Sequence, residues 1–221
     1  MLFAAGFGTR MGALTAKTPK PLIEVAGKPL IDHALTLADT AKVDKIVVNL
    51  HYLGDQIASH LQGRDVALSW EHTQILETGG GLKAALPLLQ ADTVFTLNTD
   101  AVWSGQNPLI ELQTAWDPEK MDALLLLLPA DKALGHGGKG DFLLAPDGRV
   151  SRAAGATAPV YLGAQILKTT ALTAITEPVF SLNLLWDQAI AQGRAFGLLH
   201  QGGWCDVGRP EGITLAETLH V

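Results

Sequence analysis

Residues 4–24 read Ala-Ala-Gly-Phe-Gly-Thr-Arg-Met-Gly-Ala-Leu-Thr-Ala-Lys-Thr-Pro-Lys-Pro-Leu-Ile-Glu. A short apolar run leads into a glycine-rich turn, and the turn leads into a lysine bracketed by prolines. Gly6, Gly8 and Gly12 remove Cβ atoms where backbone amides must approach a polyanion, while Arg10, Lys17 and Lys20 bring charge that amides alone cannot supply. Pro19 and Pro21 stiffen the chain on both sides of Lys20 and favour an extended backbone there. The stretch reads as a phosphate-handling loop.

Two commoner glycine motifs do not fit it. The dinucleotide fingerprint G-x-G-x-x-G opens a helix, but Gly12 stands one place late and residues 15–21 cannot start one. A P-loop requires Gly-Lys-Ser/Thr after four spacer residues, which is absent.

Outward from the loop, strand-length apolar runs at 2–5, 45–50, 66–70, 94–97 and 123–128 alternate with helix-period segments at 30–38, 53–61, 82–89 and 109–116. The strands are nearly continuous in Val, Ile and Leu, so both faces are expected to be covered. This is the pattern of an α/β, Rossmann-like doubly wound sheet, mainly parallel, with helices on both faces. Ligands in such sheets sit beyond the carboxyl ends of the strands, where both the glycine-rich loop and the Asn98-Thr99-Asp100 turn fall. From Asp131 the style changes: a glycine-rich loop at 135–140, then a turn at Pro146-Asp147-Gly148 between strands 142–144 and 149–151, which signals a small hairpin. A strand at 160–167, a helix capped by Ser181 and running to about Gly193, and a terminal helix after Pro210 complete the chain. With no repeat, low-complexity tract or linker, residues 1–221 are expected to form one domain, a nucleotide-binding half at about 1–128 and an acceptor half at about 129–221. Met1 falls inside the first predicted strand, so a few further residues upstream of it are expected.

Composition narrows the partners. The chain has 221 residues, 48% hydrophobic and 17% charged, with a net charge of −6. It has no run of Lys or Arg, which excludes a nucleic-acid-binding face. No stretch reaches the roughly 18 apolar residues of a membrane span, and no signal peptide is visible. One cysteine, Cys205, excludes an internal disulfide and fits a reducing compartment, so a cytoplasmic location is expected.

The opening residues resemble the sugar-1-phosphate nucleotidyltransferase superfamily, whose motif is L-A-A-G-x-G-T-R-M followed by P-K-P-L. Ala4, Ala5, Gly6, Gly8, Thr9, Arg10, Met11, Lys20, Pro21 and Leu22 match it, with Phe3 in place of the usual leucine. Two later segments extend the likeness. Trp204-Cys205-Asp206-Val207-Gly208-Arg209-Pro210-Glu211 resembles W-x-D-x-G-T-P-E, with Arg209 in place of threonine. Glu77-Thr78-Gly79-Gly80-Gly81 resembles the segment bordering the nucleobase, and its form, with residues 48–53, is most similar to the N-acetylmuramate 1-phosphate uridylyltransferase branch, a cell-wall (peptidoglycan) recycling activity.

The resemblance implies transfer of a nucleoside monophosphate from UTP to a sugar 1-phosphate, N-acetylmuramate 1-phosphate foremost, with release of pyrophosphate. Arg10 and Lys20 would be catalytic, holding phosphates. Ala4, Ala5, Gly6, Gly8, Thr9, Glu77 and Gly80 would bind the nucleotide, Asp100 and Asp206 a Mg²⁺ ion. An aspartate closing a buried strand can place a hard oxygen in the crevice, though it is also common in turns. The family's E-K-P element, which supplies a lysine to the acceptor phosphate, has no counterpart near residues 150–155, so Lys139 and Arg152 are taken as its substitutes, with Asp141 beside them in the second half; Trp103 could stack on the sugar or equally pack in the core. The alternatives are a mannose 1-phosphate guanylyltransferase and a non-catalytic binding module of the same fold. Such modules lose the loop cations or metal aspartates, whereas Arg10, Lys20, Asp100 and Asp206 are all present. The seven histidines show no metal-binding spacing and read as surface or packing residues.

Overall fold

The computed structural model describes residues 1–219. Strand β1 (Leu2–Phe3) delivers the chain into the opening loop, which coils into two 3-10 segments, Thr9–Thr15 and Lys20–Leu22. A small hairpin, β2 (Glu24–Val25) and β3 (Lys28–Pro29), leads to α1 (Leu30–Thr40), β4 (Val47–Leu50), α2 (Gly54–His60), β5 (Ala67–Trp70) and α3 (Glu77–Leu89). Then come β6 (Thr93–Asn98), β7 (Ala101–Ser104), α4 (Pro108–Ala115) and β8 (Ala123–Leu128). The second half holds β9 (Phe142–Leu144), β10 (Val150–Arg152), β11 (Val160–Lys168), a 3-10 turn at Thr170–Ala174, α5 (Asn183–Ala191), β12 (Ala195–Leu199), β13 (Gly203–Asp206) and α6 (Glu211–Glu217).

Seven strands form the central sheet in the order β12-β8-β11-β6-β1-β4-β5. All run parallel except β11, which is antiparallel to both β6 and β8. Alternation along each strand feeds two cores, because successive side chains point to opposite faces. Leu124, Leu126 and Leu128 enter one core with α1, α2 and α4. Ala123, Leu125 and Leu127 enter the other with α3 and α5. All six residues of β8 are therefore buried, which is why its sequence reads as an unbroken apolar run. On α1, Ile31, Ala34, Leu35 and Ala38 repeat at helical spacing and lie on the sheet. Helix α4 begins with Asn107 accepting from the Leu109 and Ile110 amides and Pro108 in the first turn.

Two local expectations change, and two strands appear that were not expected. The extended backbone expected at Lys20 is instead the start of a 3-10 turn: Pro19 is extended, but the Ile23 amide closes back on the Lys20 carbonyl. The helix expected from residue 82 starts at Glu77, so the glycine run lies inside α3. Three glycines would disfavour a helix by about 1 kcal/mol each. Tertiary contact overrides this, because the Phe180 carbonyl accepts from both the Gly79 and Gly80 amides and the 178–180 segment packs on the glycines. The strands β7 and β13 were not legible; they pair as a separate antiparallel ribbon.

Candidate active site

The end of β1 is the switch point of the sheet: the chain moves outward to β4 and β5, then returns to β6 on the other side of β1. Phe3, Asn49 and Asn98 lie in register across these three strand ends and form the floor of a crevice of about 300 Å³. Its walls include Ala4, Ala5, Gly6, Gly8, Thr9, Arg10, Lys20, Glu77 and Asp100, nine of the residues the sequence singled out.

The opening loop is held in shape by its own side chains. Gly8 has φ of 63°, and a Cβ there would lie 2.9 Å from the Thr15 methyl and 3.0 Å from Lys20 Cβ, so no other residue fits. The buried Thr15 hydroxyl donates to the Gly8 carbonyl at 3.0 Å. Tyr52 donates its hydroxyl to the Thr15 carbonyl at 2.8 Å, which ties the loop to the segment after β4.

The ribbon assembles the carboxylates. Asp100 closes the turn between β6 and β7, and Asp206 ends β13, paired across the ribbon with Ala101. The Val207 amide donates to the Asp100 carbonyl at 2.9 Å, locking the two aspartate-bearing segments together. Each carboxylate has a cation: Lys20 Nζ lies 2.7 Å from Asp100 Oδ2, and Arg10 lies 3.7 Å from Asp206 Oδ2. Lys20 is buried, whereas the Arg10 side chain is 56% exposed and able to swing. Burial, and then the charge of Asp100, raise the Asp206 pKa above the usual carboxylate range; Lys20, Arg10 and His136 oppose the shift without cancelling it. Gly208 makes the cluster possible, since a Cβ there would come within 2.6 Å of Asp206 Oδ2 and 2.9 Å of the Arg10 guanidinium.

This donor set suits a hard divalent cation. Two carboxylates stand close enough to repel, and among the described residues no group of three or more His, Cys, Asp and Glu forms. Mg²⁺ takes few carboxylates and completes its shell with phosphate oxygens and water, so two suffice.

Other candidate residues lie elsewhere. Gly80 does not border the crevice: its amide is taken by Phe180, and a Cβ would meet the Pro178 carbonyl at 2.2 Å. Trp103 is buried in the core, edge-on to Trp204 and His200, so it cannot stack on a sugar. Arg152 is committed to Asp187 at 2.8 Å and lies over the Phe142 and Trp186 rings. Asp141 accepts from the Tyr161 amide at 2.8 Å and serves the hairpin's junction with β11. Lys139 is exposed on the 135–140 loop, outside the crevice walls. Of these residues, Gly80, Trp103, Asp141 and Arg152 are each taken up by a partner within the fold.

Several site residues had escaped the sequence. Asn49, Asn98 and Thr78 line the crevice; each lies in a segment the sequence had singled out, residues 48–53, the Asn98-Thr99-Asp100 turn and Glu77–Gly81, but none of the three was named as a site residue. His136 acts on Asp206 electrostatically, and its Nε2 is buried without a partner among the described residues. Cys205 is inert: burial, and then Asp206, push its thiol up to about 11.

The chain is similar to known proteins over nearly its whole length. The chain is 42% identical to the N-acetylmuramate alpha-1-phosphate uridylyltransferase of Caulobacter vibrioides, over 98% of this chain and 94% of that one. It is 37% identical to the enzyme of the same name from Neisseria meningitidis, over 94% and 92%. Among solved structures, HddC from Yersinia pseudotuberculosis in complex with GMP-PN superposes with a TM-score of 0.80 at 20% identity, covering 100% of this chain and 98% of that one. A putative glucose-1-phosphate thymidylyltransferase from Bacillus anthracis gives 0.79 at 17% identity, covering 99% and 93%. These two share the fold. A family model of the MobA-like NTP transferase domain matches residues 1–165, which contain the opening loop, Glu77–Gly81 and Asp100, and the chain belongs to that family.

Proposed function

We propose that the protein transfers the uridylyl group of UTP to N-acetylmuramate 1-phosphate, forming a UDP-sugar and releasing pyrophosphate. The observation that carries this is the charge arrangement in the crevice: paired carboxylates on the ribbon, each facing a loop cation, beside a glycine-rich backbone. Near-full-length similarity to two uridylyltransferases supports the choice of base and sugar.

The reaction needs no protein nucleophile. An oxygen of the sugar phosphate attacks the α-phosphorus in line, a new P–O bond forms, and the bond to the β-phosphate oxygen breaks. The obstacles are repulsion between anions and alignment, which fixed charge and geometry meet. Lys20 is buried where the α-phosphate and acceptor phosphate would converge and would leave Asp100 to neutralise both. Arg10, exposed at the crevice mouth, would close on the β- and γ-phosphates. Asp100 and Asp206 would hold Mg²⁺, which supplies charge neutralisation at the α-phosphate when bound. For the lactyl carboxylate of the acceptor, Lys139 has no ion pair among the described residues, whereas Arg152 is already paired. Similarity to two N-acetylmuramate alpha-1-phosphate uridylyltransferases supports work in peptidoglycan recycling, in the cytoplasm; among the described residues no helix is long and apolar enough to cross a membrane.

The test is a pyrophosphate-release screen of four nucleoside triphosphates against a panel of sugar 1-phosphates, with and without EDTA. UTP with N-acetylmuramate 1-phosphate should give the highest kcat/KM, and EDTA should abolish it. A preference for GTP with mannose 1-phosphate would replace the base and sugar; that reading is favoured by 33% identity to a Drosophila melanogaster mannose-1-phosphate guanylyltransferase subunit over 46% of this chain. Full activity in EDTA would remove the metal.

A further inference from the structure

The two loops that flank the crevice are joined beneath it by a buried polar chain. The Ala4 amide donates to Asn49 Oδ1 at 2.8 Å; Asn49 Nδ2 donates to Glu71 Oε1 at 2.7 Å; the Leu76 amide donates to Glu71 Oε2 at 2.7 Å. Ala4 opens the phosphate loop, and Leu76 precedes Glu77 and Thr78 on the opposite wall. Asn49 and Glu71 are each only 3% exposed. Gly81 closes the space beside them, because a Cβ there would lie 2.7 Å from Glu71 Oε1 and 3.0 Å from Asn49 Nδ2.

The hydrogen-bond logic of this chain is strict. Both ends are backbone N–H groups, which can only donate. Four side-chain atoms lie between them, so the outer two must accept and the inner two must form one donor–acceptor pair. One carboxamide and one carboxylate satisfy this; two carboxamides or two carboxylates do not. The Ala4 amide also fixes which way the Asn49 carboxamide faces. A buried pair with an unmatched donor or acceptor is costly, so the two loops are held at one separation.

We propose that Asn49 and Glu71 are positioning residues that set the distance between the phosphate loop and the base-bordering segment, and so fix the affinity for the nucleoside triphosphate. The role rests on nucleotidyl transfer as the activity, but the chain's effect is on nucleotide binding and can be read without turnover. The carboxylate belongs to neither position in particular: exchanging the two residues' chemistry preserves the alternation. In the variant N49D/E71Q, Asp at 49 accepts from Ala4 and from the Gln side chain, and Gln at 71 accepts from Leu76.

The experiment measures the Kd of UTP and of GTP by calorimetry, the KM of both substrates, and Tm, for wild type, Asn49→Asp, Glu71→Gln and the double variant. Each single variant should weaken the tighter-bound triphosphate by about tenfold or more, or ~1.4 kcal/mol, with KM for the sugar phosphate within about threefold of wild type. The double variant should regain nucleotide affinity. Single variants with lowered Tm and unchanged Kd would make the chain merely structural and overturn the proposal. A double variant no better than the worse single one would overturn it as well. Should a single variant fail to fold, the double variant decides alone, by the same affinity criterion. Absence of turnover in the wild type with any sugar phosphate would instead count against the proposed activity, while the calorimetric series would still read the clamp.

Discussion

Two glycine clusters of the first half, at 6–12 and 79–81, share composition and do opposite things. Gly6 and Gly8 border the crevice, and a Cβ on Gly6 would meet nothing within 4 Å, so backbone there is open to a ligand. In the second cluster a Cβ on Gly79 would lie 2.4 Å from the Phe180 ring, and the Gly79 and Gly80 amides are already spent on the Phe180 carbonyl. Glycine removes a side chain in either case. Whether the space is then taken by a ligand or by another stretch of protein depends on what the fold brings alongside.

The largest effect should come from the cation that the first cluster presents. Lys20→Ala should lower kcat by on the order of 10²–10³-fold, the usual loss when one fixed charge-stabilising group is removed, while circular dichroism shows a retained fold. Steady-state kinetics near wild type would show that the loop does not handle the reacting phosphates.

Alanine at the two clusters contrasts them directly. Gly80→Ala should cost about 1–3 kcal/mol of stability through overpacking against the Pro178 carbonyl, read by urea denaturation. Gly6→Ala should leave stability unchanged and raise KM for the triphosphate. A stable Gly80→Ala protein with weakened nucleotide binding would break the contrast and return Gly80 to the base site.

Asp206 offers a smaller effect with a defined sign. Its pKa is raised in the folded protein by burial and by Asp100, so its ionised form opposes folding above that raised value. As pH falls through the raised pKa the carboxyl takes up a proton and the penalty disappears. Without metal, Asp206→Asn should therefore melt higher than wild type at neutral pH, and the gap should close toward about pH 4. The same variant should lose metal-supported turnover. A gap that widens in acid would contradict the crowding of the two carboxylates.

The smallest change is expected in the hairpin. Arg152→Ala removes a partly exposed ion pair and its packing over two rings, about 1 kcal/mol at most, with no change in KM for the acceptor. A raised acceptor KM would restore Arg152 to the acceptor site.

The sequence by itself determined the parts whose logic is local. The unbroken apolar run of β8, the helical spacing on α1 and the spacing of Gly6, Gly8, Arg10 and Lys20 each depend on a few neighbouring residues, and periodicity and steric need are written there directly. Asp100 and Asp206 were legible as a pair through resemblance, not through any local rule. Only the tertiary structure decided the rest. No apolar run or turn signal marks β7 and β13 as strands, yet their pairing sets the two aspartates side by side. Phe180 turns a glycine run into helix, Asp187 claims Arg152, Trp204 encloses Trp103, and Asn49 meets Glu71 across two strands. The reason is common to all four: a polar or aromatic group, backbone or side chain, takes whichever partner the fold delivers, and that partner is distant in the chain.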